Sequence, residues 1–224
     1  MSGPARFEGF GEDALDFYLG LAADNSRTYW RAHQSVYEAA VAGPLRALAA
    51  ELQPDYGTFT ISRPYRDLRF TPDRRPYKEA AGMVAADVGG GALYVELGPP
   101  GLMVAGGFYT PARDQLLRWR RLQDEPTATR ELDAVLDGLA ADGYRLGEGD
   151  PLRTAPRGWP RDHPRIDLLR RRRLEAFARH LPGPWLHTRD CVEVVRHGFG
   201  VLRRWNEWLG RRVGPSLEAP VAAR

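Results

Sequence analysis

Ala92 to Phe108 reads ALYVELGPPGLMVAGGF. Leu93, Val95 and Leu97 alternate with Tyr94 and Glu96, the two-residue period of a strand with unlike faces. Gly98 to Gly101 (GPPG) is a turn, and Leu102 to Phe108 is a second β-rich run, so the stretch reads as a hairpin. Gly106-Gly107 ends it where the backbone can approach another group closely. An antiparallel sheet therefore sits in the middle of the chain.

Upstream, Ala80 to Val88 is a third strand candidate and Thr58 to Ser62 a short β-rich lead. Before them the pattern is helical. Leu15, Tyr18, Leu21 and Ala22 recur at helical spacing within Glu12 to Asp24. Asn25 or Ser26 caps a second helix with Trp30, His33, Tyr37 and Val41 on one face. Gly43-Pro44 interrupts it, and Leu45, Leu48 and Leu52 continue the stripe to about Gln53. Proline is favourable at the start of a new helix, so two helices meeting at a corner are expected, followed by a loop over Pro54 to Gly57.

Downstream, helices are expected over Pro111 to Gln123, Pro126 to Ala141, Pro164 to His180 and from Thr188 or Asp190 to about Arg212. A short strand is expected at Tyr144 to Leu146. Gly147 to Pro160 reads as a loop, and Gly214 to Arg224 as a disordered tail. The resulting class is α+β: a single domain over residues 7–213, with a central antiparallel sheet flanked by N-terminal and C-terminal helices.

The 224 residues suffice for one ordinary core. No apolar run approaches the ~20 residues of a membrane span, and the N-terminus lacks the pattern of a secretory signal. A single cysteine, Cys191, excludes an internal disulfide framework. A cytoplasmic location is expected. The net charge of +3 permits an anionic partner without requiring one. Of 32 basic residues only Lys78 is lysine. In a chain that uses arginine almost everywhere, that lysine is either the survival of one codon or a position where a compact, tunable ammonium is needed.

Lys78 ends the most unusual segment, Arg63 to Lys78 (RPYRDLRFTPDRRPYK), which holds five arginines, two aspartates and three prolines. Its charges are interleaved with Tyr65, Leu68, Phe70 and Tyr77, which favour burial. Such a segment builds either an anion site or a paired ionic network. As a site, Arg63, Arg66 and Arg69 would bind an anion, Asp67 and Asp73 would act as bases or orient the arginines, and Lys78 would be the reactive amine. As structure, the same groups would pin a crossing segment to the core.

Arg157, Arg161, Asp162 and His163 form a second charged group. His163 would face the first cluster as a general acid or base, with Arg157 as a further anion contact; the plain alternative is a helix-capping turn. His33, among aromatics, reads as a packed residue. The five histidines show no metal-binding spacing, so no metal and no cofactor are expected. Arg170 to Arg173 (RRRR) reads as part of a solvated or acid-paired helix, and a nucleic-acid partner is not expected. No nucleophile elbow, Walker loop or dinucleotide fingerprint is present.

The Arg63–Lys78 segment closely resembles the signature R-x-x-RD-x-RF-x-x-D-x-x-PYK of the DUF2461 family, a bacterial group with some fungal members. DNSRTYWRAHQSVYEAAVAGP, ALYVELGPPGLMVAGGFY and APRGWPRDHPRIDLLR are similar to further family segments in the same order, so the resemblance covers about Phe10 to Trp208. The chain departs from the pattern at Asp24, where Asn is common, and at Arg74-Arg75, where a lysine is usual. The family is named for a domain of unassigned function, so the resemblance implies no mechanism. The functional expectation is a cleft for a small anionic ligand bearing phosphate or carboxylate, with no membrane partner. The rival is a non-enzymatic interaction module whose Arg/Asp network is structural. Oligomeric state is left open.

Overall fold

The computed structural model describes residues 6–70 and 73–218. Its helices are α1 (Asp13–Ala23), α2 (Arg27–Tyr37), α3 (Gly43–Tyr56), α4 (Arg113–Leu122), α5 (Pro126–Ala141), α6 (Ile166–Leu169) and α7 (Asp190–Arg212). Its strands are β1 (Thr60–Ile61), β2 (Ala81–Ala86), β3 (Ala92–Gly98), β4 (Gly101–Phe108), β5 (Arg145–Leu146) and β6 (Leu174–His180). The strands form one antiparallel sheet in the order β1-β2-β3-β4-β6-β5. The class is α+β, as the order of helices, central antiparallel sheet and helices implied. Among the described residues no helix is long and apolar enough to cross a membrane.

Three expectations are corrected. The helix over Pro164 to His180 is confined to α6, and Leu174 to His180 is a strand lying between β4 and β5. LEAFARH consists largely of good helix formers, yet Leu174, Ala176 and Ala178 are buried at every second position, so burial overrides local propensity. Arg170 to Arg173 is accordingly a turn entering a strand. Arg172 pairs with Asp150 at 2.9 Å, and Arg170 Nη2 donates to the Arg153 carbonyl at 3.2 Å. The corner at Gly43-Pro44 is likewise replaced by a π-helical segment, Glu38–Ala42, that runs from α2 into α3. Pro44 sits in the first turn of α3, where its missing N–H has no cost. The loop expected over Pro54 to Gly57 is helical as far as Tyr56: α3 continues through Pro54 and stops only at Gly57, whose φ of +77° ends the right-handed run.

The chain divides into two compact units. The first comprises residues up to Ala86, Tyr94–Val104 and Arg179–Gly198. In it α1 packs on α2, and α3 packs on β2. Phe17, Trp30, Tyr37, Leu45, Leu48 and Leu52 are buried from the helices, with Ala81, Met83, Ala85, Val95 and Leu97 from the sheet. The second comprises Asp87–Leu93, Ala105–Ala178 and the chain from Phe199 on. Its core centres on Trp119, Trp205 and Trp208, the last two stacked with centroids 5.7 Å apart. Of the C-terminal stretch, Gly214 to Leu217 is tied to α4: Gln115 donates to the Gly214 carbonyl, and Asp114 accepts from Ser216 Oγ and the Leu217 N–H. Residues 219–224 lie outside the described residues.

The turn Gly89-Gly90-Gly91 shows why its glycines are there. Gly89 has φ +69°, and a Cβ on it would come within 2.4 Å of Gly210 Cα in α7. Gly90 is equally left-handed, at φ +84°, but a Cβ there would meet nothing within 4 Å. Gly90→Ala should therefore cost about 1 kcal/mol, the left-handed penalty alone, while Gly89→Ala should cost about 2–4 kcal/mol from backbone strain plus overpacking. Urea unfolding of the two variants checks the difference.

Candidate functional site

The segment Arg63 to Lys78 folds back on itself. Tyr65 and Tyr77 form an antiparallel bridge, with the Arg66 N–H donating to the Pro76 carbonyl and the Lys78 N–H to the Pro64 carbonyl, both at 2.8 Å. Residues opposite one another in such a pair point to one side and their neighbours to the other. Tyr65 and Tyr77 thus face Trp30, on which Tyr77 stacks with centroids 4.5 Å apart and planes 7° from parallel. Arg66 and Lys78 face the opposite way.

One side chain fixes this clasp to the helices. Asn25 Oδ1 accepts from the Tyr77 N–H at 3.0 Å, and Asn25 Nδ2 donates to the Tyr77 carbonyl at 3.1 Å and to Glu79 Oε1 at 3.2 Å. Capping of α2 falls to Ser26, whose Oγ accepts from the Tyr29 N–H, which leaves the Asn25 amide free for the clasp.

Between the bridged ends, the described part of the loop repeats one local device. Asp67 Oδ1 accepts the backbone N–H of Arg69 and its carboxylate takes the Arg69 guanidinium in bidentate fashion, at 3.0 and 2.7 Å. Asp73 holds Arg75 in the same way. An aspartate bonding the backbone two residues on is an Asx turn, here closed by an arginine fork. Asp73 also takes Arg66 Nη1 at 2.9 Å, and Arg75 reaches Glu79 at 2.5 Å. Arg69 and its backbone N–H hold the Asp67 carboxyl down at about 2. Arg75, then Arg66, hold Asp73 well below the usual carboxylate range.

Arg66 and Lys78 border a cleft of about 590 Å³, within the usual size of small-ligand sites. Its other polar walls are Ser62, Glu79, Tyr94, Glu96 and Arg179, all in the first unit. Tyr94 and Glu96 stand on the face of β3 opposite the buried Leu93, Val95 and Leu97. Tyr94 Oη donates to Glu96 Oε2 at 2.7 Å. Tyr94 lies across Gly82 of β2, where a Cβ would stand 2.4 Å from its hydroxyl. Arg179 projects from β6 and touches Met103 Sδ at 3.5 Å.

Charge in the cleft is unevenly matched. Arg66 is joined to Asp73 and to the Tyr77 carbonyl, though its Nε–H is buried without a partner among the described residues. Glu79 is held by Asn25 and Arg75. Among the described residues, the Lys78 ammonium makes no ion pair or hydrogen bond, Arg179 has no carboxylate partner, and Glu96 has no cationic one.

Of the eight residues singled out from sequence, the fold brings Arg66 and Lys78 into the cleft, with Asp73 behind Arg66. Asp67 and Arg69 pair with each other on the exposed loop, and Arg63 is exposed nearby, its charge felt at Asp67. Arg157 and His163 belong to the second unit and do not line the cleft. There His163 Nε2 bonds Asp124 at 3.0 Å, and its Nδ1 accepts the Arg165 N–H. Asp124 also accepts from Trp159 Nε1. Both ring nitrogens are thus occupied in the turn that leads to α6. Asn25, Glu79, Tyr94, Glu96 and Arg179 were not singled out. The alternation in ALYVELG was the available signal for Tyr94 and Glu96. No group of three or more potential metal ligands occurs among the described residues.

The family model described as a conserved hypothetical protein (DUF2461) matches residues 13–208, a span that contains every residue of the cleft. No curated protein and no solved structure matches the chain.

Asn25→Ala removes both bonds to the buried Tyr77 backbone and should cost about 2–3 kcal/mol in urea unfolding. Asn25→Asp should do no better, because its second oxygen would face the Tyr77 carbonyl and Glu79. A depressed carboxyl stabilises above its ordinary value and loses that contribution as pH falls through its folded value. Asp67→Asn should therefore lower the urea midpoint at pH 6, and the gap to wild type should close between about pH 4 and the folded value of about 2.

Proposed function

The chain belongs to the DUF2461 family, and we propose that the cleft beside its Arg63–Lys78 segment binds a small anionic ligand carrying phosphate or carboxylate. One observation carries this reading. The chain's only lysine lines a cleft of ligand size, and no carboxylate of the described residues pairs with its ammonium. A cation lining a recess without a counter-ion raises the local concentration of anions and gains a charge-assisted bond when one enters.

In this reading Lys78 and Arg179 supply mobile cations and Arg66 a fixed one. Arg66 is the fixed group because Asp73 and the Tyr77 carbonyl already orient its fork. A guanidinium held in advance loses less freedom on binding than a free one. Asp67, Asp73, Arg69 and Arg75 then hold the loop in shape, which is the part of the structural reading that their mutual pairing favours.

Thermal unfolding against inorganic phosphate, glycerol phosphate and succinate tests the proposal. A ligand that binds only the native state stabilises it by about 2.7 kcal/mol at a hundredfold excess over Kd. Lys78→Met should leave stability within about 0.5 kcal/mol of wild type, since its ammonium has no protein partner to lose. It should weaken anion binding about 10- to 100-fold, the loss of one charged hydrogen bond. Unchanged affinity in Lys78→Met, or its marked destabilisation, would turn the reading toward a structural lysine.

A further inference from the structure

We infer that the ligand of this cleft is a zwitterion, carrying a protonated amine as well as its anionic group, because the cleft holds unpaired groups of both signs. This rests on the anion-binding reading above and adds the chemical class. Lys78 and Arg179 are cations without a carboxylate partner among the described residues, and Glu96 is a carboxylate without a cationic one. All three line the same recess, yet no ion pair joins Glu96 to Lys78 or Arg179.

Opposite charges in one recess would ordinarily close on each other. Here each is held on a different element. Lys78 follows the clasped Tyr77, Glu96 stands on β3, and Arg179 stands on β6. The Tyr94 hydroxyl fixes one Glu96 oxygen at 2.7 Å, and Gly82 makes the room Tyr94 occupies. The second Glu96 oxygen has no partner among the described residues.

A ligand with only negative charge would gain from Lys78 and Arg179 and be opposed by Glu96. One with an ammonium placed toward Glu96 would satisfy all three. Glu96 is thus a specificity element, attractive to an amine and repulsive to a plain anion. In strand order Glu96, on β3, stands between Lys78, which leads into β2, and Arg179, on β6, and unlike charges set out in this way favour a ligand of complementary charge pattern over a plain anion.

Matched probes test this on the full chain. 3-Aminopropylphosphonate is compared with propylphosphonate, and 4-aminobutyrate with butyrate, by isothermal titration and thermal unfolding. Within each pair only the amine differs; between pairs, phosphonate is exchanged for carboxylate. In wild type at least one amine-bearing probe should bind about 10-fold or more tightly than its partner. In Glu96→Gln that preference should vanish, while the plain anion binds as well as before or better. Lys78→Met should weaken both members of the pair together. Equal binding of both members in wild type, or a preference that survives Glu96→Gln, overturns the zwitterion inference and leaves anion binding standing. Binding of neither member of either pair overturns both.

Discussion

Two hydrogen bonds from one amide tie the segment that carries Arg66 and Lys78 to the N-terminal helices. Asn25 engages the N–H and the carbonyl of Tyr77 together, as a neighbouring strand would, across 52 residues of sequence. Tyr77 is 4% exposed, so an unpaired backbone there would be costly. With Tyr77 pinned and stacked on Trp30, the adjoining residues have only one direction left to point, and Arg66 and Lys78 point it. Closing a loop between the bridged Tyr65 and Tyr77 would otherwise leave a charged segment with many conformations of similar energy. The two Asx turns reduce that number locally, and Asn25 ties the result to the helices.

The regular elements were largely legible because their causes are local. The alternation of ALYVELG gave β3 to the residue, and the GPPG turn gave its partner. Pro126 and Asp142-Gly143 bounded α5, and an apolar stripe from Cys191 to Leu209 gave α7. Leu174 to His180 was misread because its residue types suit a helix while its burial follows a two-residue period. Only the neighbouring strands decide between these, and they lie far away in sequence. The same distance concealed Arg179: read as part of a basic helix, it had no reason to stand near Glu96.

The candidate site was legible in its centre and not in its walls. The density of arginine between aromatics marked the segment correctly as something other than linker. Charge density alone could not reveal which charges would consume one another. Asp67 with Arg69 and Asp73 with Arg75 close through pairs two residues apart. That pattern is visible in RDLRF and PDRRP once the Asx turn is considered. Asn25 was hidden by a competent alternative, since it and Ser26 are equally good caps for α2 and the structure assigns the cap to Ser26.

This division separates the segment's arginines from the chain's one lysine. The planar forks of Arg66, Arg69 and Arg75 match carboxylates held in fixed geometry, and each of them is paired. Guanidinium binds carboxylate bidentately wherever geometry allows, so the forks of the segment are spent on its carboxylates. An ammonium is a point charge with no such geometric match. Lys78 makes no ion pair among the described residues, while Arg75 takes both Asp73 and Glu79. Asp73 and Glu79 are thus occupied by arginine forks, and the chain's one ammonium stands outside that network.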